Sequence, residues 1–310
     1  MAYPNYIDAF KSGALHKKVK KARSMLESCC ICPRKCGINR FNDKRGFCRT
    51  GKNAFCCSYF AHGGEEPRIS GSRGSGTIFF SRCNMRCVYC QNCNFSQRDE
   101  GREISTAELA GYMLTLQKER CHNINFVTPT HVMPQILEAL ILAIEGGLNI
   151  PLVYNTSGYE LPEAIELLEG IIDIYLPDMR YANNAFAVKY SSAPGYPEFN
   201  RNAVREMFRQ VGIKRLIIRH LVLPENISGT EEIFSFICRE LSPKIYISLM
   251  SQYFPAFEAD SYPLLNRRIT LEEYERAVAL LKKYGLENGW IQESGGLKRF
   301  AGTNIKKNVT

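Results

Sequence analysis

The sequence predicts an α/β protein: an open, partial barrel of six strand–helix units behind a cysteine-rich N-terminal extension. Three observations predict it. Short apolar runs alternate with segments of helical periodicity between Thr77 and Leu249. Polar residues gather at the C-terminal ends of successive runs, where (β/α) barrels place their active sites. The 310 residues suffice for one large domain with extensions and a full core. The expected divisions are a basic extension over 1–70, the barrel over 71–260, and a C-terminal helix and tail over 261–310.

Taken in order, residues 1–28 read as a short loop and an amphipathic helix. Thr77 to Ser81 is the first barrel strand, leading into a cysteine loop. Ser105-Thr106-Ala107-Glu108 is a capping box opening a helix whose apolar face is Leu109, Met113 and Leu116. Strand two spans Asn123 to Val127, and helix two opens near Pro134 and stops at Gly146-Gly147. Strand three is Pro151 to Tyr154 and strand four Ile171 to Tyr175. Two helices broken around Pro194-Gly195 fill Tyr181 to Gln210. Strand five (Arg215 to Leu223), a helix from Glu231 to Glu240 and strand six (Lys244 to Leu249) complete six units, fewer than the eight of a closed barrel. A helix from about Thr270 to Tyr284 and a short strand around Trp290 follow, and the tail beyond Phe300 is expected to lack order.

The formal charge of +9 is uneven. Residues 1–60 hold 13 Lys/Arg against Asp8, Glu27 and Asp43, and the rest holds 27 against 28 acidic residues. Lys17, Lys18, Lys20, Lys21 and Arg23 read as a solvated face, with docking of an acidic electron donor as the alternative. No aromatic-interleaved basic motif accompanies the charge, which argues against nucleic acid. No apolar run approaches the ~18 residues of a membrane span. The N-terminus lacks a signal-peptide h-region, so a cytoplasmic protein is expected. Of thirteen cysteines, seven lie between Cys29 and Cys57 and four between Cys83 and Cys93, a clustering that suggests metal sites in a reducing compartment rather than disulfides.

Cys83, Cys87 and Cys90 follow the first strand at C-x3-C-x2-C spacing. Three thiolates can hold three irons of a [4Fe–4S] cluster and leave the fourth open, and an open position is what makes a metal site catalytic. A zinc knuckle is the alternative. Cys29, Cys32, Cys36 and Cys48, at C-x2-C-x3-C-x11-C spacing, are enough to close a second cluster or a zinc site, with Cys30, Cys56 and Cys57 as spare candidates.

At the Cys83–Cys90 motif the sequence resembles the radical S-adenosylmethionine (SAM) superfamily. Tyr89 before the third cysteine, and Gln91-Asn92 after it, are similar to the branch of pyruvate formate-lyase activating enzyme-like iron–sulfur proteins. The N-terminal cysteines, His62-Gly63-Gly64-Glu65-Glu66-Pro67 and Gly74 to Phe80 extend that likeness over residues 29 to 255. The resemblance implies a partial (β/α)6 TIM-like barrel of the radical SAM type. It also implies a [4Fe–4S] cluster on Cys83, Cys87 and Cys90, and a SAM whose cleavage yields a 5′-deoxyadenosyl radical. Asn155 and Thr156 after strand three, and Asp178 and Arg180 after strand four, match the family pattern and are expected near SAM, with a monovalent cation as a further candidate. Arg180 stands where lysine is usual and suits a carboxylate. Arg219 matches an arginine that approaches SAM. After strand two the family's GGE is replaced by Thr128-Pro129-Thr130-His131, leaving Thr128 or Thr130 to accept from the SAM amino group. His220 reads as a satisfied core histidine, and His62, Glu65 and Glu66 as a polar turn, a docking element or a substrate contact.

The leading function is therefore a radical SAM oxidoreductase, with a glycine Cα of a glycyl-radical enzyme as implied target and flavodoxin or ferredoxin as electron donor. A second reading keeps the chemistry on a small molecule or peptide. A third is a metal-stabilised binding protein without catalysis.

Overall fold

The computed structural model describes residues 4–42, 44–293 and 303–305. Ten strands occur among them. Those of the barrel are β2 (Ser75–Phe80), β4 (Ile124–Val127), β5 (Leu152–Thr156), β6 (Ile174–Pro177), β7 (Ile217–Leu221) and β8 (Tyr246–Met250). All run parallel, and isolated bridges from Tyr175 to Leu216 and from Asp178 to Arg219 join β6 to β7. The strand around Trp290, β9 (Gly289–Ile291), pairs parallel to β8 as a seventh member.

Both edges carry an antiparallel strand that the periodicity did not announce. On one side β1 (Ala54–His62) lies along the whole of β2, and the short β3 (Arg102–Ile104) lies outside it. On the other, β10 (Thr303–Asn304) pairs with β9 within the tail expected to lack order beyond Phe300; residues 301–302 and 306–310 of that tail lie outside the described residues. These pairings cover backbone groups that an open barrel would otherwise present at its edges.

The strands bury side chains on both faces, as parallel sheets do. Ile78, Phe80, Ile124, Phe126, Tyr154 and Tyr175 meet the outer helices, the first of which (Thr106–Lys118) starts on the expected Ser105/Glu108 box. Inside the barrel, Val153, Leu176, Ile217 and Trp290 close on Ile69, which sits on the single helical turn Pro67–Ser70. The segment after β1 thus plugs the barrel interior.

The N-terminal helix is in fact two, Tyr6–Lys11 and Ala14–Ser24, broken at Gly13 with φ of 75°. They are docked rather than free: Tyr6 donates to the Ile150 carbonyl at 2.9 Å, and Arg23 pairs with Glu138 at 2.8 Å. Lys18 donates to the Leu167 carbonyl at 3.2 Å, so it and Arg23 leave the solvated face predicted for them, while Lys17, Lys20 and Lys21 stay exposed. Among the described residues no helix is long and apolar enough to cross a membrane.

Candidate active site

The cysteine loop leaves the C-terminal end of β2 and is held from both sides. Arg86 and Val88 donate their amides to the carbonyls of Ser191 and Tyr190, and Val88 accepts from Glu258. The Asn84 side chain donates to the Tyr159 carbonyl at 2.7 Å. These bonds replace a regular element and aim Cys83, Cys87 and Cys90 into one cavity of about 310 Å³, within the range of small-molecule and cofactor sites.

Each sulfur already meets a donor. The Met85 amide reaches Cys83 Sγ at 3.3 Å, Ser191 Oγ reaches Cys87 Sγ at 3.0 Å, and Ser96 Oγ stands 3.1 Å from Cys90 Sγ. Hydrogen bonds to sulfur are a standard device for tuning cluster ligands. Ser191 is itself bonded to Tyr181 at 2.7 Å, and Tyr181 to Tyr89 at 2.6 Å, so the aromatic of the motif supports Cys87 through two hydroxyls. Burial, followed by the neighbouring Cys87 sulfur, pushes the Cys83 thiol up to about 12 and the Cys90 thiol up to about 11.

The strand tips form the opposite wall. Asn155 and Thr156 end β5, Asp178 follows β6, and Arg219 lies on β7; all four line the cavity with Thr128, Tyr89 and Asn92. Gly158 makes room here, since a β-carbon there would stand 2.5 Å from the Asp178 carbonyl. Arg180 donates Nε and Nη2 to Asp178 at 3.0 and 2.5 Å, and Nη1 to Cys87 Sγ at 3.2 Å. Its guanidinium therefore joins the thiol loop to the strand tips. Thr130 does not reach the cavity. Its hydroxyl turns behind the wall to Glu160 at 2.5 Å, leaving Thr128, at φ of 60°, as the residue of that pair on the lining. His131 lies on a 3-10 turn before the helix Met133–Glu145 and meets the Ser81 carbonyl at 2.9 Å. His220 is the satisfied core histidine expected, bonded to the Met179 carbonyl at 2.8 Å and Thr230 at 3.0 Å.

Arg219 carries a surprise. Its Nε and Nη2 hold Glu66 at 2.7 and 2.8 Å, Nη2 also holds Glu65, and Nη1 reaches Asn155 at 3.3 Å. Glu65 and Glu66 are buried and come from the plug inside the barrel. Burial pushes the Glu66 carboxyl up, but Arg219 beside it outweighs this and leaves it below the usual range. Sequence reasoning could not choose among its three roles for this segment, because the partner lies over 150 positions away.

Glu160 was missed altogether. Fully buried, it accepts from Thr130 and Thr156, both at 2.5 Å, and burial pushes it up to about 7. A carboxyl raised above its unfolded value of about 4.5 stabilises the fold fully below that pH, and loses the contribution as pH rises through about 7. Glu160→Gln should therefore remove an alkaline destabilisation of about 3 kcal/mol. Denaturation midpoints at pH 5 and pH 8.5 check this: wild type should fall more than the variant, and parallel curves would refute it.

Cavity, thiol loop and strand tips on a parallel partial barrel define the class, and sequence comparison agrees. The model of the Radical SAM superfamily matches residues 77–237, and the chain belongs to that superfamily. It is 34% identical over 293 residues to the uncharacterized protein MJ0674 of Methanocaldococcus jannaschii, covering 91% of this chain and 82% of that one. Among solved structures it is similar to a radical SAM methyltransferase from Sphaerobacter thermophilus, with 17% identity and a TM-score of 0.49 over 68% of this chain and 64% of that one. It is also similar to Streptococcus suis SuiB bound to precursor peptide SuiA, with 13% identity and a TM-score of 0.47 over 66% of this chain and 44% of that one. Membership of the superfamily implies an enzyme that uses a [4Fe–4S] cluster and SAM. The residues present fit both groups: three thiols with donors on their sulfurs face one cavity, whose lining includes the buried Ser157 hydroxyl, without a partner among the described residues.

Proposed function

We propose that the protein is a radical SAM oxidoreductase that makes a carbon-centred radical on its target, with a glycine Cα of a glycyl-radical enzyme as the leading target. The observation that supports the radical chemistry is the convergence of Cys83, Cys87 and Cys90 with Asn155, Thr156, Asp178 and Arg180 on one cavity; the glycine target rests on the likeness of the Cys83–Asn92 motif to activating enzymes. When bound, the cluster and SAM supply a 5′-deoxyadenosyl radical by one-electron reduction.

The chain's own residues bind and orient. Cys83, Cys87 and Cys90 ligate iron. Arg180, backed by Asp178, puts a fixed positive charge beside Cys87, where it suits a carboxylate. Asn155, Thr156 and Asp178 offer oxygens to hydroxyl or ammonium donors and to a monovalent cation, and Thr128 and Ser157 add polar groups to the same wall. Tyr89, under the loop and edge-on to Tyr253 at 5.8 Å between centroids, excludes water from the sulfurs. A ferredoxin or flavodoxin is the electron donor in this reading.

A small molecule or peptide is the second reading. It is favoured by the polar part of the lining, which includes Glu65, Glu66, Gln252 and Gln292. Anaerobic reconstitution with iron and sulfide, then dithionite and SAM, tests the chemistry. Release of 5′-deoxyadenosine is expected, and its absence from protein carrying a full cluster would overturn the proposal.

A further inference from the structure

Away from the cavity, the extension draws a second set of cysteines together. The Cys29 amide donates to the Ile38 carbonyl at 2.8 Å and the Gly37 amide to the Cys29 carbonyl at 3.0 Å, folding Cys36 back beside Cys29. Cys36 rests on Gly46, where a β-carbon would stand 2.7 Å from its sulfur, and Cys48 is two residues further on. Cys29, Cys32 and Cys48 are buried, and their sulfurs are close enough to act on one another electrostatically.

Arg40 is the second, independent observation. It is 0% exposed, the largest fully buried side chain described. Its Nε donates to Gly51 and its Nη1 to His131, both through carbonyls, at 3.0 and 2.9 Å. Its Nη2 is buried, and among the described residues no oxygen, nitrogen or carboxylate pairs with it; the side chain it faces is the Cys29 thiol. A buried guanidinium that cannot deprotonate needs a counter-charge. Among the described residues no carboxylate supplies one, so packing in an apolar core does not by itself account for Arg40.

We propose that Cys29, Cys32, Cys36 and Cys48 hold a second metal centre, an anionic four-thiolate site whose charge Arg40 balances. Four thiolates around an iron–sulfur cluster or a zinc ion leave such a centre negative. Arg34 adds a further cation: stacked 3.6 Å over Phe47, it lies near Cys32 and Cys36 on one side and donates to the Asn84 carbonyl of the catalytic loop at 3.0 Å on the other. The second centre is thus one side chain away from the first. Among the described residues no three metal-ligating side chains are already closed on a common point, the Cys83 loop included, so a centre at either place would require its sulfurs to move together.

The full chain with Cys83→Ser, Cys87→Ser and Cys90→Ser, reconstituted anaerobically with iron, sulfide and zinc, isolates this site from the catalytic one. About four irons with sulfide, or about one zinc, should remain per chain, and the two metals identify the type of centre. Adding Cys32→Ser and Cys48→Ser should remove them. Arg40→Met in the triple variant should release metal to a chelator at least ~10-fold faster than Arg40→Lys, as expected if charge at this position balances the thiolates. A folded triple variant that binds neither metal would overturn the proposal. Should that variant fail to fold, wild-type protein with about four irons and no zinc would overturn it equally.

Discussion

Cys87→Ala is expected to abolish 5′-deoxyadenosine formation from SAM, by at least ~1000-fold, equivalent to about 4 kcal/mol of barrier. Cys87 is the sulfur on which the loop's contacts meet: Ser191 and Arg180 both donate to it, and Tyr181 and Tyr89 stand behind Ser191. Its loss removes one of three iron ligands and strips Arg180 of one partner. Cys83→Ala and Cys90→Ala should act alike. Asp178→Ala is the contrasting control: it should leave loop iron near the wild-type value and weaken SAM binding, since it sits on the strand tip and not on the irons. Parent-rate cleavage by a Cys87→Ala protein would refute the radical SAM assignment of this loop. Iron content, measured beside the rate, separates a lost cluster from a disabled one.

Arg219→Met should destabilise the fold by about 3–5 kcal/mol, the usual cost of breaking a buried ion pair from one side. Glu65 and Glu66 would be left in the barrel interior with their counter-ion gone, close to the apolar layer around Ile69 and Trp290. The penalty has a pH signature. With Arg219 present, the lowered Glu66 carboxyl stabilises the fold above about pH 4.5, and the contribution is lost on acidification through its folded value. Without Arg219, burial alone acts and pushes the carboxyl up, so the variant should become relatively more stable as pH falls. Glu65→Gln and Glu66→Gln introduced together into the Arg219→Met chain should recover most of the loss, because no buried charge then lacks a partner. Denaturation midpoints of the three proteins decide the matter; a single variant within 1 kcal/mol of wild type would mean that water reaches these carboxylates.

The elements that were legible are those whose signals are local. The helix Thr106–Lys118 begins at a box of four consecutive residues, and the helix Leu271–Lys283 at a second one on Thr270 and Glu273. The break at Pro194-Gly195 separates Asn184–Ser191 from Tyr196–Arg215 as expected. Strand four was misplaced: the apolar run at Ile171 suggested Ile171 to Tyr175, whereas β6 is Ile174–Pro177. Ile171 and Ile172 are buried, but as part of the turn after Leu168, and burial on both sides erases the period that would separate turn from strand. β1 was hidden for another reason. Its Cys56 and Cys57 read as spare metal ligands, and only the antiparallel pairing with β2 makes the segment a strand.

By itself the sequence determined the spacing of Cys83, Cys87 and Cys90, the strand that delivers them, and the polar tips at Asn155, Thr156 and Asp178. All of these rest on residues a few positions apart and on the rule that barrels react at the C-terminal ends of their strands. Tertiary structure alone decided that Glu65 and Glu66 enter the cavity to meet Arg219, that Thr130 serves Glu160 instead of the lining, and that Arg40 lies beside the N-terminal cysteines with no carboxylate partner among the described residues. The physical reason is the same in each case. A buried charge or hydroxyl must find its partner wherever the fold brings one, and that pairing leaves no periodic or short-range trace in the chain.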